Sequence, residues 1–296
     1  MSYRKVIYVV ALAALGCAAG GYYYLRERSE GPAEVSTSAH ASEPMGVPGK
    51  ELPPATATSR SAGSAANTKS EPTADAGLPL RAGEVLEYTA NVANLNDVAK
   101  LKLQVGERKD FFGKNAWHLQ AFAHTENPLR MVFVLDDQFD SYSDAASMTS
   151  LQYEMHLNER GQKVDSVQRM TATGREPAPA HATETRVLPG TRDPLGMLQY
   201  LRNVDWTSTA EVRCPVYDGH KLYDVRAKLV GAGEAVTVPA GTFKASKIEM
   251  RVFENGEEMK DAHFTIYLAI NAARTPVLLE AIMPFATARV ELQKAK

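Results

Sequence analysis

The sequence predicts a mainly β protein in which a curved antiparallel sheet closes into a barrel or a half-barrel, with one short helix. Apolar and polar residues alternate with a period of two over much of the chain, as in strands with one buried face. About ten to twelve strand candidates follow at close spacing, which is typical of a meandering sheet that must curl or close. A single stretch has helical spacing instead.

The 296-residue chain has 44% hydrophobic residues and a formal net charge of -2. This length allows one large domain or two small ones. Because the charge is nearly balanced, the chain lacks the basic surface expected of a nucleic-acid-binding protein. We therefore expect no nucleic-acid partner.

Residues 1–28 form an N-terminal membrane anchor or signal segment. The run Val6–Leu25 contains no charge and is bordered by basic residues, and about twenty apolar residues in a helix can cross a bilayer. The basic N-terminus is expected to stay in the cytoplasm, so the remainder is exported. Three alternatives remain open: an uncleaved anchor, a cleaved signal peptide, or a lipoprotein signal acylated at Cys17 of "ALGC". In a membrane helix, Cys17 would be only a small apolar residue.

Residues 29–77 are mostly Ala, Ser, Thr, Pro and Gly, and none is aromatic. Such a segment buries too little apolar surface to offset its chain entropy. It is therefore predicted to be a disordered tether. A recognition sequence for another envelope protein is the alternative.

Residues 78–296 are the β-rich globular domain. Within it, Leu195, Leu198 and Leu201 follow one another at intervals of three, after Asp193 and Pro194. Aspartate is a good helix N-cap and proline fits the first helical position, so we predict a helix from Pro194 to about Asn203. The strand candidates before the helix are "EVLEYTANV", "AKLKLQV", "NAWHLQAFAH", "RMVFVLDDQFDSY", "LQYEMHL" and "KVDSVQRM"; those after it are "KLYDVRAKLVG", "EAVTVPAGTF", "ASKIEMRVF", "AHFTIYLAI", "TPVLLEAIM" and "ATARVEL".

Glycine and proline mark the turns. Asn255-Gly256 favours a type I′ hairpin, and Pro239 within "VPAGTF" suits the second position of a turn. The apolar phase changes after this turn, which predicts a β-bulge or bend near Ser246-Lys247. "GAGEAV", Gly231–Val236, is predicted to be a strand-to-strand turn.

The sequence offers no catalytic, cofactor-binding or metal-binding residues. None of the seven histidines or two cysteines has the close paired spacing of a metal site. No nucleophile elbow or phosphate-binding loop is present. We predict a protein that is not an enzyme and needs no cofactor, although active sites can also assemble from residues far apart in sequence.

Aromatic residues are spread over most of the strands. If the sheet curls, those that face inward would line an apolar cavity for a lipid-like ligand; alternatively, they fill the interior. The candidate ligand-binding residues are Trp117, Phe133, Tyr142, Tyr153 and Tyr200.

Several stretches together resemble the DUF3108 family of exported bacterial proteins, a domain of unknown function. They are "AGEVLEY", "DQFDSYSD", "DPLGMLQYLR", "DGHKLYDVRAKLVGAGEAVTVPAGTF" and "TPVLLEA". The resemblance implies a curved antiparallel sheet or barrel and supplies no catalytic residues.

These observations lead to two functional hypotheses. The first is a non-enzymatic periplasmic domain, anchored to the inner or outer membrane by its N-terminal segment, that binds an apolar or lipid-like ligand in the curved sheet. The second is a structural or assembly protein of the cell envelope, which acts on an envelope protein through its outer surface.

Overall fold

The computed structural model describes residues 79–172, 182–260, 263–283 and 286–296. The predicted anchor or signal segment, with Cys17, and the predicted tether lie outside these residues. Within the described part of the chain, no helix is long and apolar enough to cross a membrane.

The described domain consists of strands, one α-helix and one short 3₁₀ turn. The helix, α1, spans Pro194–Asn203, and the turn spans Leu129–Met131. The strands are β1 Val85–Val92, β2 Leu95–Phe111, β3 Lys114–Thr125, β4 Asp136–Asp144, β5 Ser150–Glu159, β6 Gln162–Thr171, β7 Thr183–Arg186, β8 Glu211–Tyr217, β9 Leu222–Val238, β10 Gly241–Glu254, β11 Glu257–Glu258, β12 His263–Ala269, β13 Pro276–Met283 and β14 Ala286–Ala295.

The strands form one sheet in the order β7-β6-β5-β4-β3-β2-β1-β14-β13-β12-β10-β9-β8. Pairing is antiparallel except between β6 and β7, and β11 pairs only with β10. The pairing between β1 and β14 joins the two halves of the meander. The predicted curved antiparallel sheet with one helix is confirmed in its half-barrel form, because the ladder ends at β7 and β8 and does not close.

The two halves of the sheet meet along a seam that is not a strand ladder. Arg192, just before α1, donates its backbone N–H to the Pro215 carbonyl of β8 at 3.0 Å, and its carbonyl accepts the Tyr217 N–H at 2.8 Å. The Gln168 side chain of β6 donates to the Gly219 carbonyl in the β8–β9 turn at 2.6 Å. We call these contacts the seam.

The inner face of the curved sheet carries the hydrophobic core. Along β3, Trp117, Leu119, Ala121 and Ala123 are buried in alternation with partly exposed residues. The neighbouring strands repeat this alternation, so the buried hydrophobic residues form one continuous cluster. The period-two pattern of the sequence therefore identifies the strands because it follows from one-sided burial.

Helix α1 begins at the predicted cap. The Asp193 carboxylate accepts the Gly196 N–H at 2.9 Å, and the Ser141 and Ser150 hydroxyls both donate to it at 2.5 Å. Burial raises the pKa of Asp193, although both serine hydrogen bonds oppose this shift. The predicted bounds of the helix are confirmed, and its start is fixed to β4 and β5.

The end of α1 is held by two arginines. The guanidinium of Arg202, with no exposed surface, forms a bidentate ion pair with Glu84 at 2.7 and 2.8 Å and donates to the Ala273 carbonyl at 2.8 Å. Arg274, in the β12–β13 loop, donates to the carbonyls of Arg202 and Val204. The helix thus crosses the inner side of the sheet and is fixed at both ends.

The predicted turns are mostly present. Val238 pairs with Gly241 around a two-residue corner, and Asn255-Gly256 turns β10 into β11 with φ of 51° and 88°. Two register shifts flank Ser246-Lys247, so the predicted bulge is confirmed. The extra residues lie in the opposing strand, where Gly233 has a φ of 78°. The prediction that "GAGEAV" is a turn is wrong, because it forms this bulged part of β9.

Candidate functional site

The five aromatic candidates do not come together in one group. Trp117, Phe133 and Tyr153 are buried in the core, each with 3% exposure or less. Tyr200 of α1 is half-buried and packs against the edge of the core, where the Arg192 guanidinium lies 3.7 Å from the centre of its ring. These four residues belong to the inner side of the sheet.

Tyr142 lies on the other face. In β4 the odd-numbered residues from Asp137 to Ser143 are buried toward the core. Tyr142 is an odd number of residues from Phe139, so the two rings project from opposite faces of the strand. It is half-buried there among polar groups.

We call the surface around Tyr142 the outer patch. It lies on the outward-facing side of β3 to β6, where the strand register places side chains in cross-strand rows. Two rings from the end of the β2–β3 hairpin cover one side of it. Its members are Phe111, Phe112, His118, Gln120, Gln138, Asp140, Tyr142, Gln152, Glu154, His156 and Arg169.

Asp140 is the most strongly hydrogen-bonded group of the outer patch. Its carboxylate lies 2.7 Å from His118 Nε2 and accepts from the Gln120 amide at 2.8 Å and the Gln138 amide at 2.7 Å. Burial opposes its ionisation, but these hydrogen bonds outweigh the burial and lower its pKa. Asp140 therefore stays ionised at neutral pH, with its acceptor positions occupied from β3 and β4.

The aromatic side of the outer patch is a stack of three rings. Tyr142 lies between Phe111, with centroids 4.2 Å apart, and His118, with centroids 4.7 Å apart, and the planes are nearly parallel. The Arg169 guanidinium is close to the rings of Phe111 and Phe112. Burial raises the pKa of the Tyr142 phenol, and the Glu154 and Asp140 charges raise it further.

Glu154 and Gln152 form the polar side of the outer patch on β5. The Gln152 amide donates to Glu154 Oε1 at 2.7 Å, and His156 Nε2 lies 3.5 Å from Glu154 Oε2. His156 also contacts Asp165 through Nδ1 at 2.7 Å. The hydrogen bond from Gln152 orients the Glu154 carboxylate along β5.

Two members of the outer patch keep their ordinary protonation states at neutral pH. Asp140 holds its charge, and Tyr142 holds its proton, whereas a general acid or base works best with a pKa near the working pH. Among the described residues, no group of three or more His, Cys, Asp or Glu side chains is placed to hold a metal ion. Burial also raises the pKa of the Cys214 thiol.

Only part of this surface is predictable from the sequence alone. His118 falls on the polar phase of β3, but Asp140, Gln152 and Glu154 look like ordinary solvated strand positions. One feature of the sequence could have indicated this surface: glutamines, rather than lysines, recur at the polar positions of neighbouring strands, as Gln120, Gln138 and Gln152 do. That signal requires the strand register, which a single sequence does not contain.

The model of the DUF3108 family, described as proteins of unknown function, matches residues 87–293. The chain belongs to this family. The match covers the described sheet from β1 to β14, and it confirms the resemblance drawn from the sequence motifs. No curated protein matches the chain.

Three solved structures are similar to this DUF3108 protein. A beta-barrel-like protein of the family DUF1849 from Brucella abortus is 10% identical, with a TM-score of 0.47, over 73% of this chain and 97% of the other. A candidate lipoprotein from Parabacteroides distasonis is 14% identical, with a TM-score of 0.35, over 74% and 97%. A candidate exported protein with a YmcC-like fold from Bacteroides fragilis is 13% identical, with a TM-score of 0.33, over 74% and 98%.

Proposed function

We propose that this protein is a non-enzymatic domain of the bacterial cell envelope that binds another envelope protein through the outer patch. In this proposal the N-terminal segment holds the domain at the membrane, on the periplasmic side. The observation that carries it is the outer patch itself. Aromatic, amide and carboxylate side chains are held in fixed, partly buried positions on the solvent side of four adjacent strands.

Fixed side chains favour recognition because their rotamers need not be ordered when a partner binds. Asp140 is tied to three side chains, and the ring stack immobilises Tyr142. Phe112 remains 46% exposed beside this rigid group. Aromatic residues in such a setting are the usual anchors of protein interfaces.

The N-terminal residues support the membrane location. The uncharged run Val6–Leu25 lies between basic residues, and the predicted tether separates it from the sheet. A domain on such a tether can reach partners in the envelope while its distance from the bilayer varies.

A second function, binding of an apolar or lipid-like ligand on the inner face, is supported by one observation. The buried indole N–H of Trp117 has no acceptor among the described residues, although a buried indole N–H usually has one. The continuous core and the buried helix favour the outer patch instead.

Site-specific photocrosslinking in cells tests the proposed function. We would place p-benzoylphenylalanine at Phe112, which is 46% exposed, and at Val230, which is 45% exposed and lies on β9. We expect an adduct with an envelope protein at Phe112 and none at Val230, and we expect Tyr142→Ala to reduce the adduct by disrupting the ring stack. Equal adducts at both positions, or none at Phe112, would contradict the proposal.

A further inference from the structure

Two carboxylates of the outer patch face each other across neighbouring strands. Asp140 of β4 is the direct partner of Glu154 of β5 in the strand register. Their side chains are only 7% and 18% exposed. Like charges directly opposite each other destabilise a sheet, and partial burial strengthens their repulsion because water screens them less.

Histidines lie beside these two carboxylates. His118 contacts Asp140 at 2.7 Å, and His156 lies 3.5 Å from Glu154. The hydrogen bonds to Asp165 and Glu154 raise the pKa of His156, which favours its imidazolium form. His156 is shared with Asp165 at 2.7 Å, which adds another negative charge to the same neighbourhood.

The arginine of the outer patch is directed to other groups. Arg169 Nη1 donates to the Leu151 carbonyl at 3.1 Å, and the guanidinium lies over the rings of Phe111 and Phe112. These contacts place the guanidinium on the aromatic side of the outer patch, whereas Glu154 and Asp165 share His156 on the polar side.

An independent observation points to the same place. Gln152 is 3% exposed, and its Oε1 accepts no hydrogen bond from the described residues. Its Nε2 donates to Glu154, which fixes the orientation of the amide, because a flipped amide would place two oxygens together. Gln152 Oε1 is thus a buried acceptor beside a carboxylate, and it lacks a donor.

We propose that this part of the outer patch receives a cationic side chain of the partner, the guanidinium of an arginine or the ammonium of a lysine. The cation would donate to Gln152 Oε1 and to the Glu154 carboxylate, and it would offset the repulsion between Glu154 and Asp140. A neutral donor could fill Gln152 Oε1 but would leave that repulsion in place. The inference rests on the proposed function and names the chemistry of the partner at the same surface.

The test uses the full-length protein in a neutral detergent. A fluorescent Gly-Ser peptide that carries two arginines is titrated by anisotropy, beside a twin in which citrulline replaces both arginines. Citrulline keeps the planar shape and N–H donors of arginine but has no charge. We expect the arginine peptide to bind and the citrulline twin to bind at least tenfold more weakly.

Two variants locate the binding. We expect Glu154→Gln to weaken binding of the arginine peptide about tenfold, the effect of one charge-assisted hydrogen bond. Glu249→Gln is the matched control, because Glu249 is also half-buried and lies on the outward-facing side of β10, and it should leave binding unchanged. Equal binding of both peptides, or equal losses in both variants, would overturn the inference.

The crosslink at Phe112 separates this inference from the proposed function. If the adduct persists in Glu154→Gln and the arginine peptide binds independently of Glu154, the cation inference fails while the proposed function stands. If the adduct is absent as well, the proposed function fails too. An adduct that is lost in Glu154→Gln, together with charge-dependent peptide binding, supports both.

Discussion

Asp137 and Asp140 are three residues apart in β4. Their side chains point to opposite faces of the sheet, and their pKa values are shifted in opposite directions. Asp137 points inward, is almost fully buried, and accepts the Asn158 N–H at 2.8 Å. Burial raises the pKa of Asp137 to about 7. The charges of Glu159 and Asp136 also raise it, whereas the hydrogen bond from Asn158 lowers it. Asp140 points outward, and its donors lower its pKa. The environment on each face of the strand therefore determines the direction in which the carboxyl pKa is shifted.

The raised pKa of Asp137 predicts a pH-dependent stability. An unfolded aspartate has a pKa of about 3.9, so the contribution of Asp137 is fully present below about pH 4 and is lost as the pH rises through about 7. We expect Asp137→Asn to gain stability relative to the natural protein between about pH 5 and pH 8, because the amide stays neutral and can still accept the Asn158 N–H. Urea unfolding at several pH values measures this, with exposed Asp97→Asn as control. Parallel pH curves for Asp137→Asn and the natural protein would contradict it.

The helix depends on two polar attachments rather than on its own propensity. Asp193 and its serines hold the start, and the ion pair between Arg202 and Glu84 holds the end. Gly196 allows the close approach, since a Cβ there would lie 2.9 Å from Ser143 Oγ. A ten-residue helix is marginal alone, so these contacts and its burial keep it in place.

Removal of the Glu84 charge should destabilise the domain. Glu84→Gln leaves the buried Arg202 guanidinium without its counter-charge, which costs about 3 kcal/mol when the partner is fully buried. Glu87→Gln is the matched control, because Glu87 pairs with Lys296 at the surface, with a 41% exposed side chain, and such pairs contribute about 1 kcal/mol or less. We expect urea unfolding to show a larger loss of unfolding free energy for Glu84→Gln than for Glu87→Gln. Similar losses in both variants would contradict this prediction, because they would show that other groups compensate the charge of the buried Arg202 guanidinium.

Elements with local signals were predictable. The Asp-Pro start and the leucine spacing located α1, and Asn255-Gly256 located a hairpin, since each depends on neighbours in the chain. The glycines of "GAGEAV" fit a turn as well as a bulge, because both can use the positive φ that glycine adopts readily, as Gly233 does in β9. Only the pairing of β9 with β10 distinguishes them, and pairing is not local.

The candidate site was less predictable for the same reason. Trp117 and Tyr153 are correctly placed on the inner side by their phase. Tyr142 is aromatic like them, but its odd spacing from Phe139 along β4 places it on the outer face. Asp140 and Glu154 meet only through the register of β4 and β5, which depends on the whole sheet.

At the scale of the whole molecule, the two candidate functions use opposite faces of one sheet. The inner face is packed with core residues and with the buried side of α1. The outer patch lies on the solvent side of the sheet, where Phe112 is 46% exposed and Tyr142 is half-buried. The exposure of the two faces therefore favours surface binding.

Native mass spectrometry distinguishes the two functions. We expect the full-length protein, extracted in a mild detergent, to show the mass of the polypeptide without a bound small molecule. A lipid-like ligand with an acceptor group that is retained by the natural protein and lost from Trp117→Phe would contradict this and support the inner face. Trp206→Phe is the matched control, because the buried Trp206 indole already donates to the Leu201 carbonyl at 2.9 Å.

The position of β1 in the strand order has a mechanical consequence. The chain enters the described sheet at β1, which lies between β2 and β14 rather than at an edge, and Val85 and Lys296 exchange backbone hydrogen bonds at its start. Ladder hydrogen bonds run across the strands, so a pull along β1 loads both ladders in shear, and many bonds must break together. An edge strand such as β8 would instead peel away one bond at a time. If the N-terminal side is held while a partner pulls the domain along the direction of β1, the ladders to β2 and β14 therefore share the load.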